Sequence, residues 1–276
     1  MDPVQLRQDI VEVGKRLWTR GYVASNDGNI SVRISSDRLL VTPAGVSKGF
    51  MTPDMMVVTD MDGHVVEAAS GRKASSEILM HVMAYRHRPD VHAVVHAHPP
   101  LSTGFAVAGV PLDRAVLAEV VTTLGAIPIA EYATPSTPEL PASIEPHVKT
   151  HDAVLLANHG ALALGADLSA AYYKMETIEH FARISLTARL LGREQLLSRQ
   201  EVDRLQQLRD RYGIASPAPV CVDLPAAGAS NCQVVVAGDD VPVGNRGEIQ
   251  LTYGQLTTLI DEAVRQLAGT RAHSRG

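Results

Sequence analysis

Cysteine is nearly absent: Cys221 and Cys232 are the only two, both late in the chain and without metal-ligand spacing, so no thiolate site organises the protein. A reducing, cytoplasmic compartment is the simplest expectation. No apolar stretch approaches the about 20 residues of a membrane helix. Met1-Asp2-Pro3 opens the chain without the basic and apolar regions of a secretory signal. Positive charge is short as well. The formal net charge of −5 provides no basic field for a nucleic-acid backbone. The lysines, Lys15, Lys48, Lys73, Lys149 and Lys174, all lie outside apolar strands that would desolvate them and depress their pKa. That weighs against Schiff-base chemistry. What remains is 276 residues with 45% hydrophobic content, enough for one good core and an appendage.

Histidine carries the first chemical signal. His96-Ala97-His98 closes the apolar run Ala93-Val94-Val95, and alternate strand residues share a face. His159 follows a second apolar run, Ala153 to Ala157. If those strands are neighbours, three neutral imidazoles converge at one sheet end and leave a fourth position open, as at a catalytic zinc. Upstream, Ser75-Ser76-Glu77 starts a helical segment that runs to Arg88, with Ile78, Val82 and Tyr85 at helical spacing. Hydroxyls and amides at a helix start suit a phosphate. The turns Asp27-Gly28-Asn29 and Thr42-Pro43-Ala44-Gly45 could also offer amides to an anion.

The chain alternates strand and helix. Val4 to Arg20 sets Leu6, Ile10, Val13 and Leu17 on one face and stops at Gly21. Strands are expected near 30–34, 39–42, 56–59 and 64–67, with a hairpin turn at Asp62-Gly63. The strand before His159 is expected to lead through Gly165 into a helix from about Ser169 to Leu191, followed by another from about Arg199 to Tyr212.

Gly28-Asn29-Ile30-Ser31-Val32, Thr42-Pro43-Ala44-Gly45, Ser75-Ser76-Glu77, His96-Ala97-His98-Pro99 and Asn158-His159-Gly160 follow one another in an order that resembles the class II aldolase/adducin family, and within it the fuculose-phosphate aldolases. The likeness runs from about residue 5 to about residue 214. It implies an α/β/α sandwich around a largely antiparallel sheet, and a homotetramer with sites at subunit boundaries. The reaction implied is cleavage of a small phosphorylated sugar, a ketose 1-phosphate, to dihydroxyacetone phosphate and an aldehyde. Zinc is the expected cofactor at His96, His98 and His159, with manganese or cobalt also suited to imidazoles. Glu77 would carry a proton at the carbon beside the carbonyl and approach the metal when no substrate is present. Gly28, Asn29, Ala44, Gly45, Ser75 and Ser76 match the phosphate pocket, which holds no arginine or lysine unless Lys48 helps. Tyr212, in Tyr212-Gly213, matches a C-terminal tyrosine of the pattern.

Departures from the pattern narrow the substrate. Ala44 stands where the fuculose-phosphate pattern has a hydroxyl residue. Asp113 to Thr123 lacks the tyrosine acid/base that a neighbouring subunit supplies, and Glu119 is the nearest polar replacement. A 5-deoxypentulose or methylthiopentulose phosphate is therefore favoured over fuculose phosphate. Rival readings are a decarboxylase of a phosphorylated 3-oxo acid, an L-ribulose-5-phosphate 4-epimerase (which typically has Asp at the position of Glu77) and an adducin-like binding module, which lacks a complete metal set. The organisation expected is a catalytic domain over 1–214 and, over 215–276, a linker, the short strand Gln233-Val234-Val235-Val236 and a terminal amphipathic helix from about Tyr253 to Ala268. That helix has two readings: packing on the body or across a subunit boundary, or attachment to a bacterial microcompartment shell.

Overall fold

A computed structural model describes residues 3–69, 71–211 and 214. Tyr212, Gly213 and the tail readings (strand 233–236, helix 253–268, shell attachment) lie outside the described residues. The order is α1 (Pro3–Thr19), β1 (Asn29–Arg33), β2 (Arg38–Val41), β3 (Val57–Asp60), β4 (Val65–Glu67), α2 (Ile78–His87), β5 (Ala93–Ala97), α3 (Pro100–Val107), α4 (Ala118–Thr123), β6 (Ile129–Ala130), α5 (Glu139–Val148), β7 (Ala153–Leu156), β8 (Gly160–Gly165), α6 (Leu168–Leu190) and α7 (Arg199–Arg211). Eight strands form one sheet, β4-β3-β2-β1-β5-β8-β7-β6. Among the described residues only the β6–β7 pair is parallel.

Alternation along the strands divides the core between the two faces of this sheet. Ile30, Val32, Val95, Ala161 and Ala163 pack with α1, α3 and α6. Leu39, Val41, Val94, Val154, Leu162 and Leu164 pack with α2 and α5. The stripe on α1 is as its spacing predicts, with Leu6, Ile10, Val13 and Leu17 all buried. Polar residues that fall in phase with the second face, Asn29, Ser31 and His96, are therefore directed at α2 and are themselves buried.

The strand β8 was not expected. Gly160 to Gly165 alternates Ala and Leu, so its alanines meet α6 closely while its leucines fill the other face. β8 stands between β5 and β7, so the two runs before the histidines are not neighbours. His159 reaches the site from the β7–β8 hairpin loop, where Asn158 takes the left-handed conformation (φ 55°). Asp167 then caps α6, its Oδ1 accepting from Ala170 N at 2.7 Å.

The joint between β8 and α6 gives a test. A Cβ at Gly165 would lie 2.3 Å from Ala171 N and 2.7 Å from Asp167 O, and backbone cannot yield as a side chain can. Gly165→Ala is expected to destabilise by about 1–3 kcal/mol in urea denaturation; an unchanged midpoint would show that the joint is loose.

Candidate metal centre and phosphate loops

Strand register brings the motif loops to one end of the sheet. Asn29 pairs with His96 across β1–β5, and Ala97 pairs with Ala161 across β5–β8. Thr42 N donates to Ile30 O, and Ile30 N returns a bond to Thr42 Oγ1, so the 26–29 and 42–45 loops lie side by side. An isolated bridge, Pro43 with Ala74, adds the loop that carries Ser75, Ser76 and Glu77.

At that end the three rings of His96, His98 and His159 stand with centroids 4.8–5.0 Å apart. Their candidate donor atoms all lie within 4.8 Å of one another. His96 Nδ1–H donates to Ala161 O at 2.9 Å, which leaves Nε2 bare and directed at the group. His98 presents its own Nε2 only 3.0 Å from that atom, while its Nδ1 faces Asp27 Oδ2 at 3.4 Å. The buried Nδ1 of His159 has no partner among the described residues. Three imidazole nitrogens turned towards one point fit a divalent transition metal, for which roughly 2.0–2.1 Å ligand bonds are usual. Asp60, Asp62 and His64 form a second acidic group on an exposed hairpin, where Asp60 Oδ1 is occupied by the amides of Asp62 and His64.

Glu77 closes the group. Its Oε1 lies 3.1 Å from His159 Nε2 and its Oε2 3.5 Å from His96 Nε2. Asn29 Nδ2 donates to Oε2 at 2.8 Å. Burial pushes this carboxyl up, but the imidazoles and the Asn29 amide outweigh it and hold it well below the usual range. Burial lowers His96 and His98 against the pull of nearby carboxylates, so both favour the neutral form that binds metal.

Among the expected phosphate residues, Gly28 and Gly45 both have φ of +70°. At Gly28 a Cβ would also press on His96 O at 2.8 Å, so only glycine lets this loop lie against β5. Ser75 Oγ accepts from Glu77 N at 3.4 Å, and exposed Ser76 Oγ accepts from Ser136 Oγ at 2.8 Å. Ala44 is different: its N–H already donates to Lys73 O at 2.9 Å, because the Pro43–Ala74 bridge takes it, so the pocket cannot count on that amide. Glu119 is exposed in the first turn of α4.

Lys48 is the residue that sequence reasoning undervalued. It is 2% exposed although no strand contains it, because the single turn Lys48–Phe50 packs on α1 at Gly14, where a Cβ would lie 3.0 Å from Lys48 O. Its Nζ donates to Asn26 O (3.2 Å) and Val46 O (2.8 Å), tying together the segments that carry the 26–29 and 42–45 turns. Burial pushes this ammonium down to about 8, against Asp27 and Glu77, which hold it up. Glycine at position 14 is the signal that could have found it.

The match to known proteins follows the same elements. The family model described as "Class II Aldolase and Adducin N-terminal domain" matches residues 8–186. A 3-oxo-tetronate 4-phosphate decarboxylase of Haemophilus influenzae is 31% identical over 192 residues, 68% of this chain and 90% of its own. A 5-deoxy-D-ribulose 1-phosphate aldolase of Bacillus thuringiensis is 32% identical over 209 residues, 75% and 96% of the two chains. A solved L-fuculose 1-phosphate aldolase superposes with a TM-score of 0.69 at 30% identity, covering 76% of this chain and 96% of that one.

Zinc titration tests the centre. One equivalent per chain is expected to bind, and His159→Ala to weaken it by at least about 10-fold in calorimetry. Two ordinary imidazoles of pKa about 6.5 would cost roughly 15-fold in affinity between pH 8 and 6. With His96 and His98 lowered, fewer protons must be displaced, and their share of the loss should fall clearly below that figure.

Proposed function

The chain belongs to the class II aldolase and adducin family, and from that premise we propose that it is a zinc-dependent aldolase splitting a small ketose 1-phosphate into dihydroxyacetone phosphate and an aldehyde. The observation that carries this reading is a carboxylate, Glu77, held against three convergent imidazoles beside loops that suit a phosphate. A 5-deoxypentulose or methylthiopentulose phosphate is the preferred substrate, since Asp113 to Thr123 contains no tyrosine.

In this reading Gly28, Asn29, Gly45, Ser75 and Ser76 bind the phosphate through amides and hydroxyls. Lys48 supplies positive charge behind the first two loops. His96, His98 and His159 would hold zinc, which when bound would supply the Lewis-acid sink that carbon–carbon cleavage requires. Glu77 returns a proton to the carbon beside the carbonyl during cleavage and removes it in the reverse direction. The reading extends to a homotetramer, to Tyr212 as a second acid/base and to a catalytic domain ending at residue 214.

A second reading is decarboxylation of a phosphorylated 3-oxo acid. The missing tyrosine favours it, and the Haemophilus decarboxylase is about as similar to this chain as the aldolases are. Losing carbon dioxide leaves the same kind of electron pair beside a carbonyl, so the same residues would serve.

Dihydroxyacetone phosphate release from a panel of ketose 1-phosphates, with and without zinc, tests the proposal. Release is expected only with metal, and Glu77→Gln should lower kcat by about 10²–10⁴. Carbon dioxide from a 3-oxo-tetronate phosphate, with no aldol cleavage, would install the second reading. Because Lys48 is depressed, borohydride is a separate check: reduction with substrate present should leave the protein mass unchanged, and a substrate-derived adduct on Lys48 would replace metal chemistry with a Schiff base.

A further inference from the structure

Behind Glu77 and Asn29 lies a buried polar stripe whose other members, Ser31, His81 and Tyr85, the chemistry above leaves unused. Glu77, His81 and Tyr85 follow at intervals of four on α2, and Asn29 and Ser31 at an interval of two on β1. Four helical residues advance about 6 Å and two strand residues about 6.6 Å, so the two rows stay in step. Asn29, Ser31, His81 and Tyr85 are each no more than 2% exposed.

Donors and acceptors along this row can be assigned in order from the carboxylate. Glu77 Oε2 accepts from Asn29 Nδ2 at 2.8 Å, which turns the Asn29 carbonyl oxygen the other way, onto His81 Nε2 at 2.5 Å. An amide oxygen only accepts, so His81 must carry its proton on Nε2. Its Nδ1, then bare, accepts from Ser31 Oγ at 2.7 Å. The Tyr85 hydroxyl proton is shared between Ser31 O at 2.9 Å and Ser31 Oγ at 2.8 Å. Every proton is used, and reversing the row would set the Asn29 oxygen against the Glu77 carboxylate. Burial pushes His81 down to about 4, against Glu77, in keeping with a neutral ring.

We propose that His81 is a positioning residue: its Nε2–H fixes the Asn29 side-chain amide, and Asn29 in turn holds the Glu77 carboxylate in the orientation used for proton transfer. The inference rests on Glu77 being the proton carrier. It predicts which atom of His81 matters. His81→Gln keeps a donor where Nε2 stands, whereas His81→Asn keeps only a group near Nδ1.

With the zinc-loaded enzyme, His81→Asn is expected to lower kcat by about 10–100-fold with KM and zinc content unchanged, while His81→Gln stays within about 3-fold of wild type. In an Asn29→Ala background, His81→Asn should have no further effect on kcat. Equal losses in the two His81 variants, or additive losses in the double variant, would overturn the proposal. A turnover-independent reading comes from long-range 1H–15N spectra of histidine-labelled wild type, with the His81 signal assigned by its absence in His81→Gln. A proton on Nε2 is expected; one on Nδ1 refutes the inference whichever reaction the protein performs. Failure to turn over any substrate, with Nε2 protonated, would count against the aldolase reading alone.

Discussion

The hydrogen bond from His96 Nδ1–H to the Ala161 carbonyl is where the fold and the chemistry meet. It exists only because β8 pairs with β5 in one register, Ala97 opposite Ala161. A slip of one residue would turn His96 from the α2 face to the α6 face, and its Nε2 would leave the group. The same register places the His159 hairpin above His96, since Gly160 begins β8 directly after that loop. There too the fit is tight: a Cβ on Gly160 would lie 2.6 Å from Ala97 O and 2.6 Å from His98 Cδ2. Sheet register, ring tautomer and loop approach are thus one constraint, expressed at three distances from the backbone.

Charge at this sheet end is arranged with similar economy. A buried carboxylate is costly unless paired and hydrogen-bonded, and Glu77 has imidazoles on one side and an amide on the other. Lys48 is buried nearby with carbonyl acceptors instead of a carboxylate in contact. No carboxylate touches it among the described residues, and it lies behind the 26–29 and 42–45 loops, whose own motifs carry no cation. In the proposed reading, that is how motifs without arginine or lysine would attract a phosphate. The cation is present, but one layer behind the loops.

Legibility in the sequence followed the range of the interaction. Helix α1, the hairpin at Gly63 and the sequence pattern of β5 rest on local spacing, and the structure has them where that spacing puts them. The convergence of His96, His98 and His159 was also legible, although the route differed: the strands assumed to be neighbours are separated by β8. An Ala/Leu run between glycines reads poorly as strand because alanine has low β propensity; what stabilises it is the close packing of α6, which is tertiary. Lys48 and His81 are named by the sequence, but their partners are not, for a related reason. Each looks ordinary in its own segment, and each acquires meaning from a partner 22 to 52 residues away.

Aldol cleavage and decarboxylation differ least where this site is best defined. Both leave an electron pair beside a carbonyl, and both can use Glu77 at that carbon. They differ at the departing fragment. An aldehyde leaves only after its hydroxyl surrenders a proton, so cleavage requires a second acceptor, whereas carbon dioxide departs from a carboxylate that has no proton to lose. The fuculose-phosphate aldolase pattern places a tyrosine from a neighbouring subunit in that role, and Asp113 to Thr123 contains none. Relatives with aldolase and decarboxylase names stand at 32% and 31% identity, so overall similarity does not separate the reactions. The discriminating chemistry is the proton on the departing hydroxyl, and in the aldolase reading Tyr212 is the residue proposed to take it.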